Sequence, residues 1–391
     1  MAVINLWAKQ GYMSTPDGQS IYFWGYSKGA AEPAQLPGPP IIVKQGEAVT
    51  INLTNNLPEP VSVFLPGQTG VKVGSQFVKP QYSGGNLISF VNYASSNGGT
   101  VSYTFTPTRP GTYIYESGTN PHKQVLLGLY GGIVVRPEDY DENTSRTAYG
   151  SGTDTEFDRE YLIIFSEIDP SLHQAVIEGK PYMISKHHPR YWTMNGRCAP
   201  DTMLPDNAPY LPSQPYGAMV MAEPTEKVLI RYIGAGIDSH PLHPHGNHTR
   251  IIAMDGRLLK NGARDRSFKR FTVLVGPGQT YDQIFQWTGL GYTLDNPIPT
   301  IIPNRRNLGI GEAGWTMWSG SPYLGEKGEI PEGVVSFNEV GEYHFMLHSH
   351  SEPKITNWGA FPGGMMTMIS IYPTGFLSPD VGVLSQPVGK E

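Results

Sequence analysis

The chain has 391 residues, a hydrophobic fraction of 39%, a charged fraction of 16% and a formal net charge of -6. That length allows about two or three domains, each with its own core, and the acidic balance without any basic run excludes nucleic acid as the main partner. The single cysteine, Cys198, excludes an intrachain disulfide and multi-cysteine metal motifs.

Taken in chain order, the start from Met1 to Trp7 lacks the charged and apolar regions of a signal peptide. Strand-like runs follow at Pro40 to Lys44 and at Ala48 to Leu53. Val101 to Phe105 alternates, Arg109-Pro110-Gly111 turns the chain into Thr112 to Tyr115, and Gly131 to Val135 closes the first unit. The chain holds 46 Gly and 35 Pro, far above average usage and without a G-X-Y period. They read as turns between many short strands, the pattern of an all-β sandwich.

Residues 1–140 are therefore expected to form a first domain and the polar stretch 141–158 an interdomain linker. Residues 159–391 form a second domain. Its strands are expected at Tyr161 to Phe165, Lys227 to Tyr232, Arg250 to Met254, Phe271 to Val275, Gly341 to Leu347 and Met366 to Ile371. One short helix fits Asp169 to Gly179, and residues 289–333 read as a Gly/Pro-rich insertion. No stretch of about eighteen apolar residues occurs, so no membrane span is expected. The two halves rhyme: Thr108 to Tyr115 matches Asn338 to Phe345, and each is followed by a Gly-rich turn and a last apolar strand. That is an internal duplication of one sandwich unit.

Six of the eleven histidines fall in His240-Pro241-Leu242-His243-Pro244-His245-Gly246-Asn247-His248 and His348-Ser349-His350. Residues i and i+2 of a strand share a face. His243 and His245 thus point one way, as do His348 and His350. If the two strands are neighbours, four imidazoles converge on a metal such as copper, zinc, iron or nickel. The competing reading is a site whose histidines only hydrogen-bond. His240 stands evenly between ligand and structural residue. His248 and His344 read as structural, and His122 and His187-His188 as surface loop.

On these residues the chain resembles the multicopper oxidase family. His240 to Gly246 is similar to its His-Pro-x-His-x-His-Gly motif, and Gly341 to His350 to its last-domain segment ending in His-Cys-His. Gly363-Gly364-Met365-Met366 is similar to the Gly-Met that follows. In the first half, Gly111 to Tyr115 and Gly128 to Val135 resemble the frame around the family's other His-x-His motifs. The resemblance implies two cupredoxin-like Greek-key β-sandwich domains, a copper cofactor and an extracytoplasmic (periplasmic or secreted) location. It also implies a homo-oligomer, a trimer with sites between subunits.

The departures from the family are specific. Ser349 stands where the family has the cysteine thiolate of its blue type 1 copper, and a hydroxyl is a poor, hard substitute. Glu352-Pro353-Lys354-Ile355-Thr356 lacks the next type 1 histidine. Val63-Phe64-Leu65-Pro66-Gly67 and Tyr115-Glu116-Ser117-Gly118 replace the first-domain ligand motifs. The expected metal set is His243, His245, His348 and His350, with His240 also a candidate. Glu116 is a candidate carboxylate ligand or general base, weighed evenly against an exposed strand residue. Met365 and Met366 stand near the family's axial position, with core packing equally weighted. The expected function is a copper-binding protein with a reduced histidine-only site. Any oxidoreductase activity would act at a single copper, with a small-molecule reductant or dioxygen as partner. The alternatives are a copper storage or delivery protein, or a structural and assembly protein that retains the fold.

Overall fold

In the first half, alternation of apolar and polar residues makes one-sided strands that must bury one face. The computed structural model describes residues 1–245, 247–288, 307–308, 315–316 and 343–384. Strands β1 (Ala2–Ser14) and β2 (Ser20–Ser27) form a long antiparallel hairpin. Next come β3 (Ile41–Lys44), β4 (Val49–Asn55), β5 (Gly99–Phe105), β6 (Gly111–Glu116) and β7 (Tyr130–Arg136). One sheet runs β2-β1-β4-β5 and continues into two short strands; the other runs β6-β7-β3. Leu6, Ile51, Leu53 and Tyr103 from the first sheet meet Ile41, Val43, Ile133 and Val135 from the second in one core.

The second half repeats this plan. Its strands are β8 (Arg159–Ile168), β9 (Tyr191–Met194), β10 (Val220–Ala222), β11 (Lys227–Gly234), β12 (His240–Pro244), β13 (Thr249–Met254), β14 (Val273–Val275), β15 (Thr280–Gln286), β16 (Tyr343–Ser349) and β17 (Met366–Ile371). One sheet runs β9-β8-β11-β15-β13, and the other β10-β17-β16-β12-β14. Parallel β8/β11 mirrors parallel β1/β4, and parallel β10/β17 mirrors parallel β3/β7. The expected duplication is therefore visible in strand order. Both halves are the cupredoxin-like all-β sandwich.

Residues 141–158 are not solvated throughout. Ala148, Tyr149 and Phe157 are buried with Leu229, Ile252 and Ile284, and the Tyr149 hydroxyl donates to Asp282 at 2.5 Å. Beside it lies a buried charge network. Arg136 of β7 donates to Glu160 of β8 at 2.6 Å, and Arg231 of β11 donates to the same carboxylate at 2.5 Å. Arg231 also donates to Thr112 of β6 at 2.9 Å and pairs with Asp282 of β15 at 3.2 Å. These bonds tie the sheets of the two halves together.

The expected helix is present at Pro170–Ile177, capped by Asp169, whose carboxylate accepts from the Ser171 amide. His122 is exposed, in a one-turn helix (Pro121–Gln124) rather than a loop. His187 departs from the expected solvated loop, because its ring lies against Asp169 at 3.6 Å and the Tyr182 hydroxyl at 3.1 Å. The insertion expected at 289–333 lies outside the described residues, apart from Asn307–Leu308 paired with Trp315–Thr316. No helix among the described residues is long and apolar enough to cross a membrane.

Candidate metal centre

Strands β12 and β16 are antiparallel neighbours, with Leu242 opposite Ser349, His243 opposite His348 and Pro244 opposite Leu347. The pairing extends past both ends: the His245 amide donates to the Met346 carbonyl at 2.8 Å, and the His350 amide to the Pro241 carbonyl at 2.7 Å. His240, Leu242 and Pro244 are buried toward the core, so His243 takes the opposite face. The four imidazoles gather there. Ring centres of His243 lie 5.5 Å from His245, 5.8 Å from His348 and 4.8 Å from His350. His245 and His348 rings are 4.9 Å apart, with their Nε2 atoms face to face at 2.9 Å.

Three of these rings have Nδ1 engaged by oxygen. The His243 Nδ1 meets the Thr272 hydroxyl at 2.8 Å, that of His348 meets the Ser349 carbonyl at 2.8 Å, and that of His350 lies 3.3 Å from Glu352. A carbonyl can only accept, so His348 carries its proton on Nδ1 and turns a lone pair at Nε2 toward His245. His245 then holds a proton between the two rings, and its own Nδ1 is buried with no hydrogen-bond partner. Burial first, and the neighbouring imidazoles second, push the His245 pKa down to about 4 and lower that of His243; burial outweighs the Ser349 carbonyl and Glu352 in lowering that of His348. All three are neutral donors near pH 7. Retention of a bound ion should therefore persist on acidification through about pH 6, where ordinary histidines protonate; a pH titration of metal release checks this.

Among the described residues no three His, Cys, Asp or Glu side chains direct donor atoms at one common point. The rings are gathered, but binding requires them to turn and the His245 proton to move from Nε2 to Nδ1. The donor set fits copper: neutral imidazole nitrogens, Nδ1 atoms held by oxygen partners, and one orphaned buried nitrogen.

His240 does not join this group. It is fully buried on the core side, with Nε2 3.3 Å from Glu167 and Nδ1 3.3 Å from the Lys354 ammonium. Lys354 also donates to the Ser239 carbonyl at 3.0 Å and pairs with Asp238 at 3.1 Å. Glu167 accepts from the amides of Ile237 and Asp238 at 2.5 and 3.2 Å. An ammonium thus lies against the His240 nitrogen, in the segment where the family places a second type 1 histidine. Sequence reading registered Lys354 only as a missing histidine and did not notice Glu167, which lies far upstream on β8.

The other candidates also separate from the four imidazoles. Glu116 is half-buried, and burial raises its carboxyl pKa to about 7. Its strand partner is Phe64, through reciprocal backbone bonds of 2.7 and 3.1 Å. His248 is exposed beside Phe271, and His344 Nδ1 bonds the Ser370 hydroxyl at 2.8 Å. Met365 is buried in the core, and Met366 is buried opposite His348. Cys198 is buried with its thiol turned to the Trp192 carbonyl at 3.6 Å, and burial pushes its pKa far up. Copper-loaded protein should accordingly lack the intense blue absorption of a copper–thiolate bond, as a visible spectrum will show.

The fold is shared with copper proteins of known structure. A multicopper oxidase, mgLAC, superimposes with a TM-score of 0.61 at 19% identity over 95% of this chain and 86% of its own. The blue copper oxidase of Nitrosomonas europaea gives 0.61 at 20% identity, again over 95% and 86%. The copper nitrite reductase of the same organism gives 0.57 at 18% over 98% of both chains. Residues 25–140 match the family model described as multicopper oxidase. Laccase-7 of Oryza sativa subsp. japonica is 23% identical over 261 residues, which is 64% of this chain and 39% of the laccase. Laccase abr2 of Aspergillus fumigatus is 29% identical over 103 residues, 26% of this chain and 16% of that protein. The chain thus spans well under half the length of the curated relatives it matches.

Residues 25–140 thus resemble a multicopper oxidase domain, the fold is that of the copper proteins above, and the single cysteine, Cys198, does not lie between His348 and His350.

Proposed function

We propose that this protein binds copper through His243, His245, His348 and His350 alone and acts as an oxidoreductase at that single site. The supporting observation is the β12/β16 register, which sets His243 opposite His348 and closes His245 on His348 at 2.9 Å. The copper would supply one-electron redox chemistry. The chain's own residues orient the imidazoles and keep them neutral. With Lys354 against His240 and Ser349 in place of cysteine, no second centre feeds electrons to the site. A small-molecule reductant and dioxygen must then both reach the copper directly. This reading assigns residues 1–140 to a first domain, 141–158 to a linker and 159–391 to the metal-bearing domain. A homotrimer and a periplasmic or secreted setting belong to the same proposal.

A copper storage or delivery role is the second reading. His350 favours it, because its side chain is 53% exposed and offers a labile edge for ligand exchange. Oxygen uptake separates the two. The oxidase reading expects copper-loaded protein to consume oxygen with a phenol or cuprous ion, and His245→Ala/His348→Ala to abolish this. Copper retained without any oxygen uptake would leave the carrier.

A further inference from the structure

The face of the sheet that carries the four imidazoles also carries methionines. Met366 lies opposite His348 and Met368 opposite Met346 in the β16/β17 register. Met346, Met366 and Met368 are buried with Met203 in one cluster, and Met219 packs against it. Met203 and Met219, together with Met221, line a cavity of about 480 Å³. Six of the thirteen methionines of the chain belong to this one arrangement. Three of them, Met203, Met219 and Met221, border open space.

The cavity runs from exposed Asp380 at its rim to buried Met203 and Asn195. Its amide and phenol groups are already engaged. Asn195 donates to the carbonyls of Leu162 and Gly217 at 2.9 and 2.7 Å, and the Tyr216 hydroxyl donates to Gln35 at 3.1 Å. What the wall offers a ligand is thioether sulfur, with the Asp206 carboxylate on the same wall. Thioethers are soft donors that prefer cuprous ion to cupric ion or zinc. Carboxylates at the rim and on the wall draw in a cation.

We propose that this cavity is the port through which cuprous ion reaches the histidine site, held on Met203, Met219 and Met221 and passed along Met366 to His348. The transfer is ligand exchange only. The copper stays monovalent, no electron moves, and the His245 proton shifts from Nε2 to the unpartnered Nδ1, so that both rings remain neutral. The inference rests on the histidine site being a copper site, and the two are tested apart.

Silver(I), a redox-inert analogue of cuprous ion, serves as the probe with the full chain. X-ray absorption is expected to find sulfur neighbours around bound silver in His245→Ala/His348→Ala protein, and to lose them in Met203→Leu/Met219→Leu/Met221→Leu protein. The methionine variant should also fill slowly from an anaerobic cuprous chelate while filling normally from a cupric salt. Silver without sulfur neighbours, or wild-type cuprous loading in that variant, overturns the proposal. Should the triple variant fail to fold, the half-buried Met219→Leu and Met221→Leu are read singly. Failure of the methionine-substituted protein and the wild type alike to take up cupric ion would instead count against the histidine site.

Discussion

Glu160→Ala is expected to destabilise the fold by about 3–5 kcal/mol, because two buried guanidiniums lose their shared counter-charge. Arg136 and Arg231 both donate to that carboxylate, and all three side chains are nearly or fully buried. Arg231 would keep Asp282 and Thr112, whereas Arg136 would keep only the Leu384 carbonyl among its polar partners named here. Urea denaturation read by tryptophan fluorescence measures the difference. A loss under about 1 kcal/mol, the range of exposed pairs, would remove the network from the account of stability. The pH dependence has a definite sign. Burial alone would raise the Glu160 pKa, but the two guanidiniums outweigh it and hold the folded-state value below the ordinary one. Its contribution is therefore fully present above the unfolded carboxyl value, about 4.3. It is lost as pH falls through the folded value, so variant and wild type should converge in acid.

His245→Ala/His348→Ala is expected to retain no copper after dialysis, measured by elemental analysis, because it removes the facing nitrogens at the centre of the site. Two contrasting variants make the result specific. Thr272→Val removes only the oxygen partner of His243 Nδ1, and should weaken copper affinity by about 10–100-fold without abolishing binding. His240→Ala should leave copper content unchanged while lowering stability, since it strips a buried partner from Glu167 and Lys354. Loss of copper in the His240 variant would return that residue to the ligand set and break the division drawn between the two faces of β12.

Much of the architecture was legible in the sequence because strand alternation and turn residues are local signals. β4, β5, β6, β7, β11 and β17 all lie where runs of alternating or continuous apolar residues predict them. The first hairpin escaped notice. Lys9, Gln10 and Gly11 interrupt its pattern in the middle of β1, and pairing with β2 holds that segment extended. At the site, the two-residue spacing of each histidine pair predicts a shared face. Adjacency of the two strands was the only assumption, and their register now satisfies it. The fate of His240 was not legible, because its partners Glu167 and Lys354 lie far away in sequence and meet it only through the fold. The same holds for the methionines, since periodicity cannot distinguish a core filler from a cavity wall.

The contact between Lys354 and His240 bears on how the empty protein behaves. The Lys354 ammonium, bonded to Ser239 and Asp238 as well, anchors the 352–355 turn through contacts that involve none of the four site imidazoles. Proteins whose loops are organised by their metal collapse or fray when stripped of it. This one carries its own built-in cation in that corner, so chelation should empty the imidazole cluster without loosening the neighbouring turn, and the molecule can be drained and refilled as a rigid vessel.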